Sequence, residues 1–527
     1  MASSSSCSEP AQEIPEVRRA VSPAGLQLTS RIWIGCFATF TAGVIAMLMC
    51  GPFTQAEGGD DAIWDYVAQS IVRGEIPYRD VIEIKTPGSA YLSALAIAIG
   101  KPAGLEDIVA VRVLCILLVG ILCAVTFLTA HAYFRSSIAG LTAVLILPMW
   151  PNFSVLLIAG TRPKVAMIIF GLLNLLLIAA DKPFWAGFFA MLSCLCWQPG
   201  LMFAAAAVLM FSRYLTSWRD FRALRVLIGT SVPLALVLIY FYSAGALSDF
   251  WIWTVAYNYQ VYRPETSAPP AVSLNQLWYL IDQVTGANTV WVKLGVAGFL
   301  LFAGERIWVR WKSRRSPDLF KEALVILPLA YMGFRTINYP GIDDLIPLFP
   351  LIALFTGFFF SEVSRFIGEL KPIGNNRLLS RLVRRIPVIP VIALIILTCR
   401  HCIDYRVDGI TLLEQQTRVQ AVADLLEPDD KIYVHGTLEL LVLLNRPNMN
   451  SYIFLDRGKD RYIAERMAGG FGALVDRMRT LRPKVIAISR IQNVAHRDEL
   501  LAWAAEDYEK FPLEFAHNSV YIRKPGR

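Results

Sequence analysis

The sequence predicts a polytopic α-helical membrane protein with about eleven transmembrane helices and a small soluble α/β domain at the C-terminus. Of its 527 residues, 55% are hydrophobic and only 17% are charged, whereas a soluble chain is about a quarter charged. Between residues 32 and 403 the charges lie in short clusters separated by long apolar runs, while residues 404–527 have a soluble composition. The net charge of +8 comes from Lys and Arg beside apolar segments, which indicates topology signals and excludes a groove for nucleic acid.

The chain begins with a polar tail, residues 1–31, that is rich in Ser, Pro and Ala and is predicted to be disordered. The transmembrane domain, residues 32–403, follows it. No cleavable signal peptide precedes Ile32, so the first apolar run is expected to remain as a signal anchor. About 20 apolar residues are needed to cross the bilayer, and several runs are short, so the count carries an error of about one or two. The candidate spans are 32–52, 108–134, 138–153, 164–180, 184–198, 200–216, 224–245, 290–309, 322–338, 344–362 and 386–403.

The basic residues predict the orientation, because Lys and Arg accumulate in cytoplasmic loops. Three strongly basic links all fall on the side of the N-terminal tail, which is therefore predicted to be cytoplasmic; they lie within 213–225, 306–321 and 365–385. The loops 53–107 and 246–289 and the domain 404–527 are then extracytoplasmic.

The first outer loop, residues 53–107, carries most of the chemical signal. Asp60 is a plausible N-cap for a short amphipathic helix, Ala62 to Arg73, that would lie at the membrane interface. Asp61 and Asp65 are also explained as first-turn acids that the helix dipole favours, and Arg79 and Lys85 as snorkelling cations. Adjacent carboxylates followed by cations on one outer loop favour a functional site instead.

The second outer loop, residues 246–289, is rich in Trp, Tyr and Phe. An aromatic belt at the membrane interface explains about half of these residues. A wall that faces a sugar or a lipid is the alternative, and composition does not separate the two.

The motif Asp60-Asp61, a short helix with Tyr66, Pro77-Tyr78-Arg79-Asp80, then Lys85-Thr86-Pro87-Gly88 resembles the first extracytoplasmic loop of GT-C glycosyltransferases. These polytopic enzymes use polyprenyl-phosphate sugars; they include protein O-mannosyltransferases, the lipid A aminoarabinose transferase and bacterial dolichyl-phosphate-mannose mannosyltransferase-like proteins. The elements from Gly160 to Lys164 and from Tyr339 to Asp344 are similar to the same group, less specifically. Where many relatives carry an acid in the next outer loop, this chain has Arg162 and Lys164.

The resemblance implies roles for several residues. Asp60 is expected to be the general base that takes the proton of the acceptor, with Asp61 assisting, and Lys85 is expected to bind the lipid phosphate. Weaker candidates for binding phosphate or sugar are Arg79, Tyr66, Arg162 and Arg335; Arg335, near the end of a span, needs a partner such as Asp343 or a bound phosphate. The leaving phosphate requires no metal, but Asp60 and Asp61 would hold a divalent ion if one is used.

The C-terminal domain, residues 404–527, alternates strand-like and helical stretches and predicts a small α/β domain. Acceptor binding, a lid and a structural cap all remain open as its role. His435 is interpreted as a residue at the end of a strand.

The function predicted is that of a membrane glycosyltransferase, a hexosyl- or pentosyltransferase of the bacterial inner membrane. It would move a sugar from a polyprenyl-phosphate donor to an extracytoplasmic glycan, lipid or protein by inverting displacement, without a required cofactor. A transporter or flippase of lipid-linked saccharide is the alternative. Transporters carry charges within broken spans, whereas the notable charges here lie at the edges of outer loops.

Overall fold

The structure is a computed structural model that describes residues 29–150, 154, 157, 160, 162–212, 221–312, 319–337, 341–369, 392–398, 400, 409–436, 438–515 and 518–524. The disorder predicted for the N-terminal tail falls outside these residues, except at 29–31. Most of the third basic link and most of the predicted last span, 386–403, also lie outside them. Residues 392–398 within that span are helical.

Fifteen described helices make up the part of the chain before residue 370. They are α1 Ser30–Met49, α2 Gly59–Val72, α3 Gly88–Gly100, α4 Asp107–Phe134, α5 Ser137–Ile146, α6 Pro163–Ala179, α7 Pro183–Cys196, α8 Leu201–Ser212, α9 Arg222–Ser243, α10 Leu247–Trp251, α11 Arg263–Thr266, α12 Pro270–Thr285, α13 Thr289–Lys312, α14 Glu322–Ile337 and α15 Leu348–Glu369. A helix therefore lies at each of the first ten predicted spans.

The long apolar helices show that the chain is a multi-pass membrane protein. Four helical segments of the described residues are long and apolar enough to cross a membrane, and four more are apolar but shorter. The count of about eleven crossings stays a prediction. The long segments are Ser30–Met49, Asp107–Phe134, Arg222–Ser243 and Ile342–Ile367.

Glycines let some of these helices pack at very short range, as is common between membrane helices. A Cβ on Gly229 of α9 would lie 1.9 Å from the carbonyl oxygen of Phe184 in α7. A Cβ on Gly187 of α7 would meet the carbonyl oxygen of Val226 at 2.0 Å. The two backbones are therefore in contact, and each position requires the absence of a side chain.

The C-terminal domain is α/β, as predicted. Its four strands have the order β1-β2-β4-β3, with β1 and β2 parallel and the other pairs antiparallel. The sequence analysis did not identify α16 or β3. The elements are α16 Leu412–Ala423, β1 Ile432–His435, α17 Glu439–Leu444, α18 Lys459–Arg466, α19 Gly470–Leu481, β2 Val485–Ile488, α20 Arg497–Asp507, β3 Tyr508–Phe515 and β4 Asn518–Arg523.

Helix α2 differs from the predicted interfacial helix. It begins at Gly59, so Asp60 lies in its first turn and makes no cap hydrogen bond. Every residue from Asp61 to Ser70 is buried, so the prediction of a single apolar side is wrong. The reason is that the helix lies between the membrane helices and the soluble domain: Tyr66, for example, accepts a hydrogen bond of 2.6 Å from the backbone N–H of Asn448.

The aromatic-rich outer loop also packs against the soluble domain. Two wide π-type turns, Ile252–Ala256 and Asn258–Tyr262, continue α10. Trp253 and Tyr257 are buried and contact Tyr462 of α18 edge-on, with ring centroids 5.6 and 5.4 Å apart. This packing between domains is a third explanation of the aromatic residues, beside the belt and the ligand wall.

The first outer loop is fastened to the start of the soluble domain by buried polar contacts. The side-chain NH₂ group of Gln415 donates to the carbonyl oxygen of Glu57 at 2.7 Å. The side-chain oxygen of Gln415 accepts from the backbone N–H of Glu57 at 2.8 Å. The Glu57 carboxylate pairs with Arg112 at 3.4 Å, and neither side chain is exposed. The backbone N–H of Leu412 donates to the carbonyl oxygen of Thr54 at 2.9 Å. Residues far apart in sequence thus form one buried unit.

Candidate active site

Asp61 and Asp343 are held together by Arg162. The guanidinium group donates from Nη2 to Asp61 Oδ2 at 2.7 Å and from Nη1 to Asp343 Oδ1. Burial raises the pKa of Asp61 to about 6, although Arg162 opposes the change. Gly160 keeps the approach open, because a Cβ there would lie 2.7 Å from the Asp61 Cβ. The elements Gly160–Lys164 and Gly341–Asp344, noted in the sequence, therefore meet at helix α2.

The neighbouring Asp344 binds two further cations. Lys164 Nζ lies 2.8 Å from Oδ1, and Arg335 Nη2 lies 2.6 Å from Oδ2. The N–H of Gly341 also donates to Oδ2, at 2.7 Å. Arg335 pairs with a carboxylate, as predicted, but that carboxylate belongs to Asp344 and not to Asp343. These buried ion pairs fix the inner wall of the site.

Asp60 points away from Asp61 and toward the soluble domain. Its Oδ1 accepts a hydrogen bond of 2.8 Å from Arg490 Nη1, and its side chain is 40% exposed. Burial acts to raise the pKa of Asp60, but the charges of Lys85, Arg490 and Arg162 together hold that pKa well below its usual range. Asp60 is therefore an ionised, accessible carboxylate in a strongly positive environment.

Lys85 lies near enough to Asp60 for the two charges to interact. Its ammonium lies 4.2 Å from the centre of the Trp64 ring, and no carboxylate of the described residues lies within ion-pair distance of it. Burial lowers the pKa of Lys85, against the opposing charges of Glu83 and Asp60. A free cation in such a position suits a phosphate group.

The loop that carries Lys85 is held by Tyr78. This residue has φ 71°, an unusual conformation for a bulky side chain, and its hydroxyl donates to the carbonyl oxygen of Lys85 at 2.7 Å. A narrow crevice beside it is lined by Trp64, Lys85 and Pro163 among others, with about 10 Å³ of free space, room for one water molecule.

The structure brings together Asp60, Asp61, Lys85, Arg162 and Arg335. It does not bring the other two candidates into the cluster. Arg79 is exposed, pairs with the adjacent Asp80 at 2.9 Å and donates to the carbonyl oxygen of Ala244, and Tyr66 is occupied at the domain interface. The binding roles of Arg79 and Tyr66 stay predictions, and no contact described above supports them.

Sequence reasoning missed Arg490, which lies 430 residues after its partner Asp60. Arg490 lies just after β2. The preceding residue, Ser489, donates its backbone N–H to the carbonyl oxygen of His435 at the end of β1, and Arg490 then extends toward the membrane domain. Gly436, which follows β1, leaves room for this neighbouring segment: its φ is 103°, and a Cβ on it would lie 2.3 Å from Ser489 Oγ. The α/β domain was predicted from the sequence, but the parallel pairing of β1 and β2, whose carboxyl ends are favoured sites for ligands, was not.

A metal at Asp60 and Asp61 does not fit the geometry well. The two carboxylates diverge, and each is bound by a guanidinium group that a cation would have to displace. Within the part of the chain that the structure describes, no group of three or more His, Cys, Asp or Glu could hold a metal ion.

A larger cavity, about 550 Å³, opens between Arg135, Lys321 and Arg365. Several of its lining residues belong to the basic links 306–321 and 365–385 or lie next to them in the sequence. None of them is Asp60, Asp61, Lys85, Arg162 or Arg335. We assign it no role.

The fold is shared with two solved membrane proteins. The chain is similar to ArnT from Cupriavidus metallidurans bound to undecaprenyl phosphate, with a TM-score of 0.61 and 13% identity over 94% of this chain and 99% of that one. It is similar to the archaeal oligosaccharyltransferase AglB from Archaeoglobus fulgidus, in complex with an inhibitory peptide and a dolichol-phosphate, with a TM-score of 0.54 and 12% identity over 94% of this chain and 75% of that one.

No protein-family model and no curated protein matches the sequence. At these identities the structural likeness shows the fold alone, and that fold, membrane helices followed by a small soluble domain, is the one that the sequence predicted. The likeness extends through the soluble domain, since nearly the whole chain is covered.

Proposed function

We propose that this chain is a membrane glycosyltransferase that moves a sugar from a polyprenyl-phosphate donor to an extracytoplasmic acceptor. The observation that carries the proposal is an accessible carboxylate, Asp60, near a cation, Lys85, that forms no ion pair with a carboxylate of the described residues. The fold supports it, because ArnT and AglB were solved with undecaprenyl phosphate and a dolichol-phosphate, respectively.

In the proposed reaction, the acceptor hydroxyl attacks the anomeric carbon on the face opposite the phosphate. The new carbon–oxygen bond forms while the bond from the anomeric carbon to the phosphate oxygen breaks, so the configuration inverts. Asp60 takes the proton of the hydroxyl, a contribution of about 10²–10⁴ in rate. Lys85 stabilises the charge that develops on the departing phosphate, which leaves with the bonding electron pair.

Asp61 has a different role from Asp60. It is buried and already bound by Arg162, so it is not free to reach an acceptor. We propose that Asp61, Arg162 and Asp343 orient the first turn of α2 and so position Asp60, a more limited role than the assisting catalytic one expected from the motif. The proposal places the chemistry at the extracytoplasmic face of a bacterial inner membrane, with the donor's lipid in the bilayer.

The test measures transfer from a radiolabelled polyprenyl-phosphate sugar in purified full-length protein. Asp60→Asn keeps the shape of the side chain but removes the base, and we expect kcat to fall by about 10²–10⁴. Lys85→Met removes the cation at similar length, and we expect a loss of about 10²–10³. Lys101→Met and Asp498→Asn change exposed residues elsewhere and should retain activity. Wild-type rates in both site variants would refute the assignment.

A further inference from the structure

Three cations of the soluble domain lie at the end that faces the membrane domain. Arg457 and Lys459 flank the start of α18, and Arg490 follows β2. Arg490 already reaches Asp60 across the domain boundary, at 2.8 Å. The soluble domain is thus in direct contact with the proposed catalytic carboxylate.

Lys459 is a buried ammonium group without a hydrogen-bond acceptor. Its side chain is 1% exposed, and its nearest carboxylate oxygen, on Asp456, lies 3.7 Å away. Its Nζ has no hydrogen-bond partner among the described residues and lies 3.6 Å from the centre of the Phe454 ring. The ion pair with Asp456 is too long for a hydrogen bond, so the buried ammonium keeps unused donors, and a buried group of this kind calls for an explanation.

Lys459 lies close to the loop of Lys85. The Lys459 ammonium is 5.4 Å from the centre of the Tyr257 ring, and the next residue, Asn258, donates to the carbonyl oxygen of Ile84 at 2.8 Å. Burial is the main cause that lowers the pKa of Lys459 to about 8; the charges of Asp456 and Glu83 oppose this change, and those of Arg457 and Lys85 add to it. The ammonium groups of Lys459 and Lys85 repel each other, and an anion that contacts both would relieve this repulsion.

We infer that Lys459 and Arg490 bind the phosphate of the lipid-phosphate donor together with Lys85, so that the phosphate site is built from both domains. The inference rests on the proposed function and adds to it the role of the soluble domain. The phosphate supplies the hydrogen-bond acceptor that Lys459 lacks. It also competes with Asp60 for the guanidinium group of Arg490.

Because of this competition, binding of the lipid-phosphate donor changes the pKa of Asp60, the proposed general base. The charged groups that face Asp60 are Lys85, Arg490, Arg162, Arg457 and Asp61. A phosphate that engages Lys85 and Arg490 neutralises the two cations that depress the pKa of Asp60 most strongly. The carboxylate then becomes a better proton acceptor, because efficient general bases have pKa values closer to the working pH. Arg490 is accordingly both a phosphate ligand and a positioning residue for Asp60.

The experiment measures the affinity of full-length protein in zwitterionic nanodiscs for undecaprenyl phosphate. The variants are Lys459→Met and Arg490→Gln, with Arg490→Lys as the variant that retains charge. Arg461→Gln is the matched control, since Arg461 also forms an ion pair across the domains, with Glu265, but is exposed. Undecaprenol and inorganic phosphate are measured in parallel, to separate the lipid tail from the headgroup.

We expect Kd for undecaprenyl phosphate to rise about ten- to a hundredfold in Lys459→Met and Arg490→Gln, as for loss of a hydrogen bond to a charged group. Arg490→Lys should recover part of the loss, Arg461→Gln should match the wild type, and undecaprenol should bind all variants equally. Inorganic phosphate should compete with undecaprenyl phosphate for the wild type. In transfer assays, the acidic limb of kcat/KM should move to higher pH in Arg490→Gln.

The two proposals fail in different ways. If the wild type does not prefer undecaprenyl phosphate to undecaprenol, the donor class is wrong and the inference falls with it. If the wild type shows that preference and Lys85→Met loses it, but Lys459→Met and Arg490→Gln bind normally, only the role of the soluble domain is overturned. Thermal unfolding of each variant confirms that a lost affinity is not a lost fold.

Discussion

Replacing Arg162 with Met should destabilise the protein in a manner that depends on pH. The Arg162 residue is 8% exposed and binds both Asp61 and Asp343. Its removal leaves the buried carboxylate of Asp61 and the largely buried carboxylate of Asp343 without their shared cation. Breaking a buried ion pair in this way costs about 3–5 kcal/mol, so we expect a loss of that size in the free energy of unfolding at pH 8.

Protonation of Asp61 should make the loss in the free energy of unfolding smaller at acidic pH. Burial already raises its pKa to about 6, and without Arg162 the pKa rises further. At pH 5 the carboxyl group of the variant is therefore protonated and neutral, and each unit of pKa difference is worth about 1.4 kcal/mol. We expect the destabilisation by Arg162→Met to shrink by about 1–2 kcal/mol between pH 8 and pH 5.

The assay is reversible unfolding in mixed micelles, followed by tryptophan fluorescence at both pH values. The double variant Arg162→Met with Asp61→Asn should lose less than the sum of the single variants, by about 1–3 kcal/mol. Arg222→Met is the control, because Arg222 pairs with Asp181 at 3.4 Å and is 39% exposed, and it should cost less than about 1 kcal/mol. A loss for Arg162→Met that is below about 1 kcal/mol, or equal at the two pH values, would refute the reasoning.

Two further predictions concern stability. Gly229→Ala should destabilise by about 1–3 kcal/mol through overpacking, because its Cβ would meet the α7 backbone at 1.9 Å; Gly304→Ala, with nothing within 4 Å of its Cβ, should be neutral or stabilising, and equal effects in the same unfolding assay would contradict the packing. Burial lowers the pKa of His435 from 6.5 to about 4, so its contribution, up to about 3 kcal/mol, is complete above pH 6.5 and is lost as the pH falls toward 4. His435→Gln should flatten that part of the stability profile, and an unchanged slope would show that His435 does not titrate there.

The membrane helices were predictable because a lipid environment demands long apolar runs, and such runs are visible without knowledge of tertiary structure. The end of β1 at His435 was predictable for a similar reason, since a short apolar strand bounded by Gly436 is a local pattern. Helix α2 was not. The sequence of this helix has an amphipathic pattern, which predicts one exposed side. The soluble domain covers that side, and this contact is visible only in the tertiary structure.

The site could be predicted only in part. Asp60, Asp61 and Lys85 lie in one continuous motif, and its spacing is informative. The cation partners of the acids come from other parts of the chain, so the choice of Asp344 over Asp343 for Arg335, and the whole contribution of Arg490, depend on tertiary geometry. Two side chains 430 positions apart leave no periodic signal in a single sequence.

The hydrogen bonds between Gln415 and Glu57 join positions 358 residues apart, and this separation sets the order of biogenesis. A ribosome releases the segment with Asp60 early in translation, long before it has made the residues that clasp that segment. Until Gln415, and later Arg490, have been synthesised and folded, helix α2 lacks the partners that bury it. If the proposed function is correct, we expect nascent or prematurely terminated chains to carry the Asp60 motif but to be inactive until the soluble domain has docked.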